Sequence, residues 1–308
     1  MAEHQAIRLD CPRRTGSSLS EQGTVQDRHR LSHRSEAQFD PANWTKEGDG
    51  LMASSRKMRA VWAEHRANFA DTIAQHMTGS TRRSDDWPLL TGLPRASMLL
   101  LGYAAEMYLK AGIAKAYRNC ATSMFERDIK HRFGHKLVEM AQEVAFRLTA
   151  DDRQGLDGLK DMVLVDARYP VFVPDGATYA TTVNAQTSRI WSQDGYDTRV
   201  ALVGRICDHV ALIDADSSDA ASFGSFTLDG DGYLAFRTGG HLPPRITYRV
   251  SSDMRPAGET APADVRALLN GARFREVQRY WDRAWIYEDG ISATGRPKTY
   301  RRQRPSPG

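Results

Sequence analysis

The stretch MLLLGYAAEMYLKAGIAKA, Met98 to Ala116, decides the fold. It is apolar nearly all round, the pattern of a helix buried on every side. It also contains Glu106 and Lys110, and a membrane span would have to place both charges in lipid. The stretch therefore reads as the central helix of a helical core. Glu106 and Lys110 are four residues apart and share a face, with the glutamate on the favourable N-terminal side. Charges set that deep need partners. Pro94 suits a first helical position, because its missing amide hydrogen costs nothing there, and the helix is expected to run to about Arg118.

Working outward, Met58, Val61, Trp62, His65, Phe69, Ile73 and Met77 recur at steps of three and four, an amphipathic helix. Residues 79–94 are rich in Ser, Thr, Arg, Asp, Gly and Pro and read as a connection. Leu137, Met140, Ala141, Val144 and Leu148 mark a helix over about 134–148. Thr149 to Asp152 matches a capping box that opens the next helix. Pro170 ends that helix near Tyr169. Residues 171–195 read as a long loop, either a lid or binding loop or disordered, and a fifth helix follows over 198–213.

After Asp214 the pattern changes. Residues 223–228 and 233–237 flank an Asp-Gly-Asp-Gly turn at 229–232, a hairpin signal, and 245–250 offers a third strand. The turn lacks the distal glutamate and third acidic position of a calcium loop. Residues 262–286 return to helical spacing. The expected architecture is mainly α: an up-and-down helical bundle over 56–215 with a small C-terminal β-hairpin or three-stranded segment and a final helix over 222–288. Residues 1–50 and the basic, Pro-rich 295–308 read as disordered tails.

Composition narrows the class. Of 308 residues, 41% are hydrophobic and 26% charged, values of a globular chain. The net charge of +4 permits a phosphate-bearing partner without naming one. Cys11, Cys120 and Cys207 have no paired spacing, which fits a reducing, cytoplasmic setting. No apolar signal core follows the N-terminus. No phosphate loop, zinc-protease helix or nucleophile elbow is present, and no metal or cofactor is expected.

Three elements carry a resemblance. Glu106, Lys110 and Ala111 lie on the central helix, His135 and Leu137 open a later one, and Arg168, Tyr169 and Pro170 close the next. In this order and at these separations they resemble the HEPN superfamily, over roughly half of the chain. The resemblance implies a bundle of four or five helices, frequently a homodimer, of the kind found in bacterial toxin-antitoxin and abortive-infection systems. It implies RNA or nucleotide binding, or a protein partner such as an antitoxin or a nucleotidyltransferase, with Glu106, Lys110 and Tyr169 among the binding residues.

Some members of that superfamily are metal-independent endoribonucleases with an Arg and a following His separated by four to six intervening residues. Here Arg205 and His209, like Arg127 and His131, are separated by only three residues. In an RNA-cleaving reading, His209 or His135 would take a proton from a ribose 2′-hydroxyl, and Arg168 or Arg205 would stabilise charge on the phosphorus. The opposing readings are a helix cap for His135, packing for His209 and an ion pair for Arg168. A third possibility is a non-catalytic dimerisation module. The arginines of 273–304, with Lys298, Trp281 and Trp285, are a candidate RNA-facing surface; the opposing reading is tryptophans in the core and arginines in solvent.

Overall fold

Pro94 lies inside the central helix rather than at its start. In the computed structural model, which describes residues 30–32, 34–76, 87–166, 176–228, 230–251, 262–269 and 271–305, this helix, α2, spans Trp87–Ala116. A proline cannot donate to the carbonyl four residues back, so Leu90 O is left without its helical partner. Trp62 Nε1 donates to it at 3.0 Å. Trp62 belongs to α1, Pro41–His76, which packs along α2 and is also tied to it by Ser55 Oγ donating to Ser97 O at 2.7 Å.

Around α2 stand α3 (Thr122–Arg127), α4 (Leu137–Glu143), α5 (Ala150–Asp161), α6 (Gly176–Trp191) and α7 (Gln193–Leu212). Gly112 marks one close approach. A Cβ there would sit 2.8 Å from Val144 Cγ1 and 3.1 Å from Val210 Cγ2, so only hydrogen lets α2 meet these neighbours. The capping box at Thr149 and Asp152 is formed, with both reciprocal bonds present. Among the described residues the protein is mainly helical, and no helix is long and apolar enough to cross a membrane.

The C-terminal region holds a mixed sheet of β1 (Ser222–Thr227), β2 (Tyr233–Thr238), β3 (Arg245–Arg249), β4 (Trp285–Ile291) and β5 (Pro297–Gln303), in that spatial order. All neighbours are antiparallel except β3 and β4. Between those two the chain carries α8 (Pro262–Leu268) and α9 (Arg275–Tyr280). They cover one face of the sheet, where Val265, Phe274, Val277 and Trp281 pack on Leu234, Phe236, Ile246, Tyr248 and Ile286. Alternate side chains point the other way: Tyr233, Ala235, Trp285 and Tyr287 join the helical core. Arg237, Arg245, Thr247 and Asp289 are buried with them.

Several expected boundaries shift. Helix α1 begins at Pro41, inside the expected tail, because Asp40 Oδ1 caps it from Ala42 N at 2.9 Å. Upstream, Leu31 is buried and exchanges backbone bonds with Asn119 and Cys120. Residues 176–191 of the expected loop form α6, and Ser192 Oγ accepts from Gly195 N at 2.9 Å to start α7. The expected final helix over 262–286 is interrupted at Gly271, whose φ is 107°, and ends in strand β4. Residues 297–303 of the expected basic tail are β5, so the sheet has five strands instead of three. Trp281 and Trp285 are buried on opposite faces of the sheet, which removes them as platforms for bases.

A candidate phosphate-binding cleft

The face of the sheet turned toward the helices is ionic. Its floor is built on three buried carboxylates, Asp128, Glu143 and Asp289. Asp128 comes from a π-helical turn, Asp128–Phe133, that follows α3. Its Oδ2 accepts from Tyr117 OH at 2.7 Å and from Arg132 at 3.2 Å, and its Oδ1 accepts from Thr299 Oγ1 at 2.7 Å. Arg127 reaches Asp289 at 3.0 Å and Thr299 at 2.6 Å, while Arg249 donates to the other oxygen of Asp289.

Glu143 receives Arg245 at 2.6 Å, Arg132 at 2.8 Å, Tyr287 OH at 3.1 Å and Arg301 at 3.4 Å. Burial alone would raise its carboxyl, but the Arg245 and Arg132 guanidinium groups outweigh burial and hold it at about 2. Arg245 is itself stacked between Tyr117 and Tyr287, 4.1 and 3.9 Å from the ring centres.

Above this floor opens a cleft of about 760 Å³ between the α3 to α4 segment and the sheet. Its lining includes Arg127, His131, Arg132, Lys136, Arg249, Arg296 and Lys298, against a single carboxylate, Asp128. The floor carboxylates are engaged by Arg127, Arg132, Arg245, Arg249 and Arg301. His131, Lys136, Arg296 and Lys298 have no carboxylate partner among the described residues. A cleft with this excess of cation concentrates anions, and its fixed guanidinium groups suit phosphate oxygens.

The residues singled out from sequence fall in two other places. Glu106 is buried between Lys110, at 2.6 Å, and His135, whose Nδ1 lies 2.8 Å from Glu106 Oε2. Gly134, at φ 50°, makes the turn that delivers His135 to the central helix. The triplet does not line this cleft. Lys110 also lies 5.1 Å from the centre of the Trp44 ring, on α1.

Arg205 and His209 line a second cleft of about 770 Å³ together with Arg147, Arg153, His241, Arg304 and Trp285. Arg205 pairs with Asp152 at 2.5 Å. Desolvation works to raise the Asp152 carboxyl, but hydrogen bonds from Arg205 and Thr149 hold it below the usual range. His209 Nε2 lies 2.8 Å from Val144 O. A carbonyl only accepts, so the proton is on Nε2 and Nδ1 alone is left to take one. Arg168 and Tyr169 lie outside the described residues.

Sequence reasoning noted Arg127 and His131 only for their spacing. It missed Asp128, Arg132 and Arg249 altogether, and it noted Arg296 and Lys298 only as part of the basic C-terminal stretch. A signal lay in the density of cations in Arg127 to Lys136 and in 296–304, but nothing in the sequence shows that the two stretches meet across one cleft. Among the described residues no group of three His, Cys, Asp or Glu is placed to hold a metal ion. No protein-family model, curated protein or solved structure matches this chain.

Proposed function

We propose that this protein binds RNA or a nucleotide through the cleft between the α3 to α4 segment and the sheet, as a HEPN-like helical protein of the bacterial defence or toxin-antitoxin kind. The carrying observation is the lining of that cleft, with Arg127, Arg132, Lys136, Arg249, Arg296 and Lys298 facing one carboxylate. The HEPN-like reading draws support from the order of Glu106, Lys110 and Ala111 before His135 and Leu137, and from the His135 contact with Glu106. A homodimer, with an antitoxin or nucleotidyltransferase as partner, belongs to the same reading.

Labelled RNA titrated by fluorescence anisotropy at several salt concentrations tests it. Lys136→Ala and Lys298→Ala are each expected to weaken binding and to reduce the salt slope by about 0.7 for each phosphate that is no longer neutralised. Unchanged affinity in both variants would remove the cleft as the site.

A second reading, a metal-independent endoribonuclease, is favoured by one observation: Arg127 and His131 open into the same cleft. An imidazole there can accept the 2′-hydroxyl proton, and a guanidinium can stabilise the phosphorane that forms. Cleavage of end-labelled RNA in EDTA, comparing wild type with His131→Ala, His135→Ala and His209→Ala, decides it. Loss in His131→Ala alone places the chemistry in this cleft; loss in His209→Ala alone places it in the second.

A further inference from the structure

One strand joins the two clefts described above. Lys298 and Thr299, on β5, line the first, and Arg304, one residue past its end, lines the second. Six residue steps along a strand cover about 20 Å. Between them Arg301 reaches Glu143 with 40% of its side chain still exposed.

Thr299, Arg301 and Arg304 share a face because β5 carries a bulge, while Lys298 enters the first cleft from the strand's other side, beside Tyr300. Ile286 is opposite Gln303 and Tyr287 opposite Arg301, so Arg302 is an extra residue in the ladder. Without it, side chains would alternate and Arg304 would point away from the face used by Thr299 and Arg301. With it, Thr299 bonds Asp128, Arg301 bonds Glu143 and Arg304 donates to Gln142 O at 2.6 Å, all on the helical side. At the far end Arg147 and Arg153 are exposed and line the second cleft.

We infer that the second cleft is a further phosphate-binding subsite, joined to the first along β5 in one track that takes a single strand of RNA rather than a mononucleotide. This rests on the phosphate-binding reading of the first cleft. About 20 Å corresponds to roughly six nucleotides at a stacked spacing of about 3.4 Å. Arg301 stands where the middle of such a strand would cross.

The test is binding of fluorescein-labelled oligouridylates of two, four, eight and twelve residues, and of an RNA duplex, to the full chain in low salt. Affinity is expected to rise at least tenfold from the two-residue to the eight-residue probe and then level off, with the duplex binding more weakly than the eight-residue strand. The Arg147→Ala, Arg153→Ala double variant is expected to lose most of that gain while binding the two-residue probe as wild type does. Arg279→Ala, an exposed cation on α9 that lines neither cleft, should bind every probe as wild type does. If affinity is independent of length, or if the double variant binds the eight-residue probe as wild type does, the track is wrong while the first cleft stands. If no probe binds, both readings fall. If Arg279→Ala loses as much as the double variant, binding is diffuse surface charge and the track is overturned.

Discussion

Replacing Trp62 by phenylalanine keeps an aromatic ring in the α1 and α2 contact but removes the donor that serves Leu90 O. A buried carbonyl left alone costs about 1–3 kcal/mol, and denaturant unfolding should show a loss of that order. In a Pro94→Ala background the helix regains its own amide hydrogen, so the same Trp62→Phe change should cost less. Equal losses in the two backgrounds would refute the account. Glu143 gives a second prediction at this scale. Its folded carboxyl sits at about 2, below its ordinary 4.5. Its stabilising contribution is therefore complete above about pH 4.5 and is lost as pH falls toward 2. Melting temperature measured from pH 5 to 2 should fall more steeply in wild type than in Glu143→Gln, which is expected to be less stable throughout because it leaves Arg245 and Arg132 short of charge. The sequence shows Glu106 and Lys110 as a pair, since four residues of helix fix their geometry. It does not show Glu143, whose partners come from positions 132, 245, 287 and 301.

Arg59 illustrates what decides an element. It is 2% exposed and donates to Ile190 O, Trp191 O and Ser192 O at 2.9, 3.2 and 2.7 Å, and to Gln193 Oε1 at 3.0 Å. Ile190 O and Trp191 O are at the end of α6, where helical partners run out, and Ser192 O at the entry to α7 also accepts from Tyr196 N at 3.2 Å. Burial pulls its pKa down, against the nearby Tyr196 and Asp197. Arg59→Met is expected to lose about 2 kcal/mol, given that a charge-assisted bond is typically worth about 1.5–3 kcal/mol, and to raise amide exchange first around residues 188–196. Uniform exchange across the helices would show the loss to be global. The loop reading failed over 176–191 for the same reason, residues 171–175 lying outside those described: the many small polar residues there have weak helix preference, and the stabilising arginine lies more than a hundred residues earlier. The strands at 222–249 were legible because turn residues separate them. Strands β4 and β5 were not, since burial on both faces erases alternation in β4 and the lysines and arginines of β5 look like a tail.

At the scale of the whole molecule, the helices and the sheet meet through charge as much as through apolar contact. Separating them would expose Asp128, Glu143 and Asp289 together with the arginines that hold them. A single change such as Asp289→Asn, which weakens the hold on Arg127 and Arg249, is expected to open the first cleft before the helical core yields. Limited proteolysis should then cut near residues 292–296 while far-ultraviolet dichroism stays close to wild type, and simultaneous loss of both signals would contradict this. The position of β5 has a further consequence. It is one of the two edge strands, with no strand beyond it among the described residues, and a bare edge invites another chain to add to it. Arg296, Lys298 and the half-exposed Arg301 make that edge repel its own copies. The residues that would hold a polyanion thus also act as gatekeepers of solubility. Neutralising them, by substitution or by saturation with polyphosphate, should convert a monodisperse solution into one that scatters light.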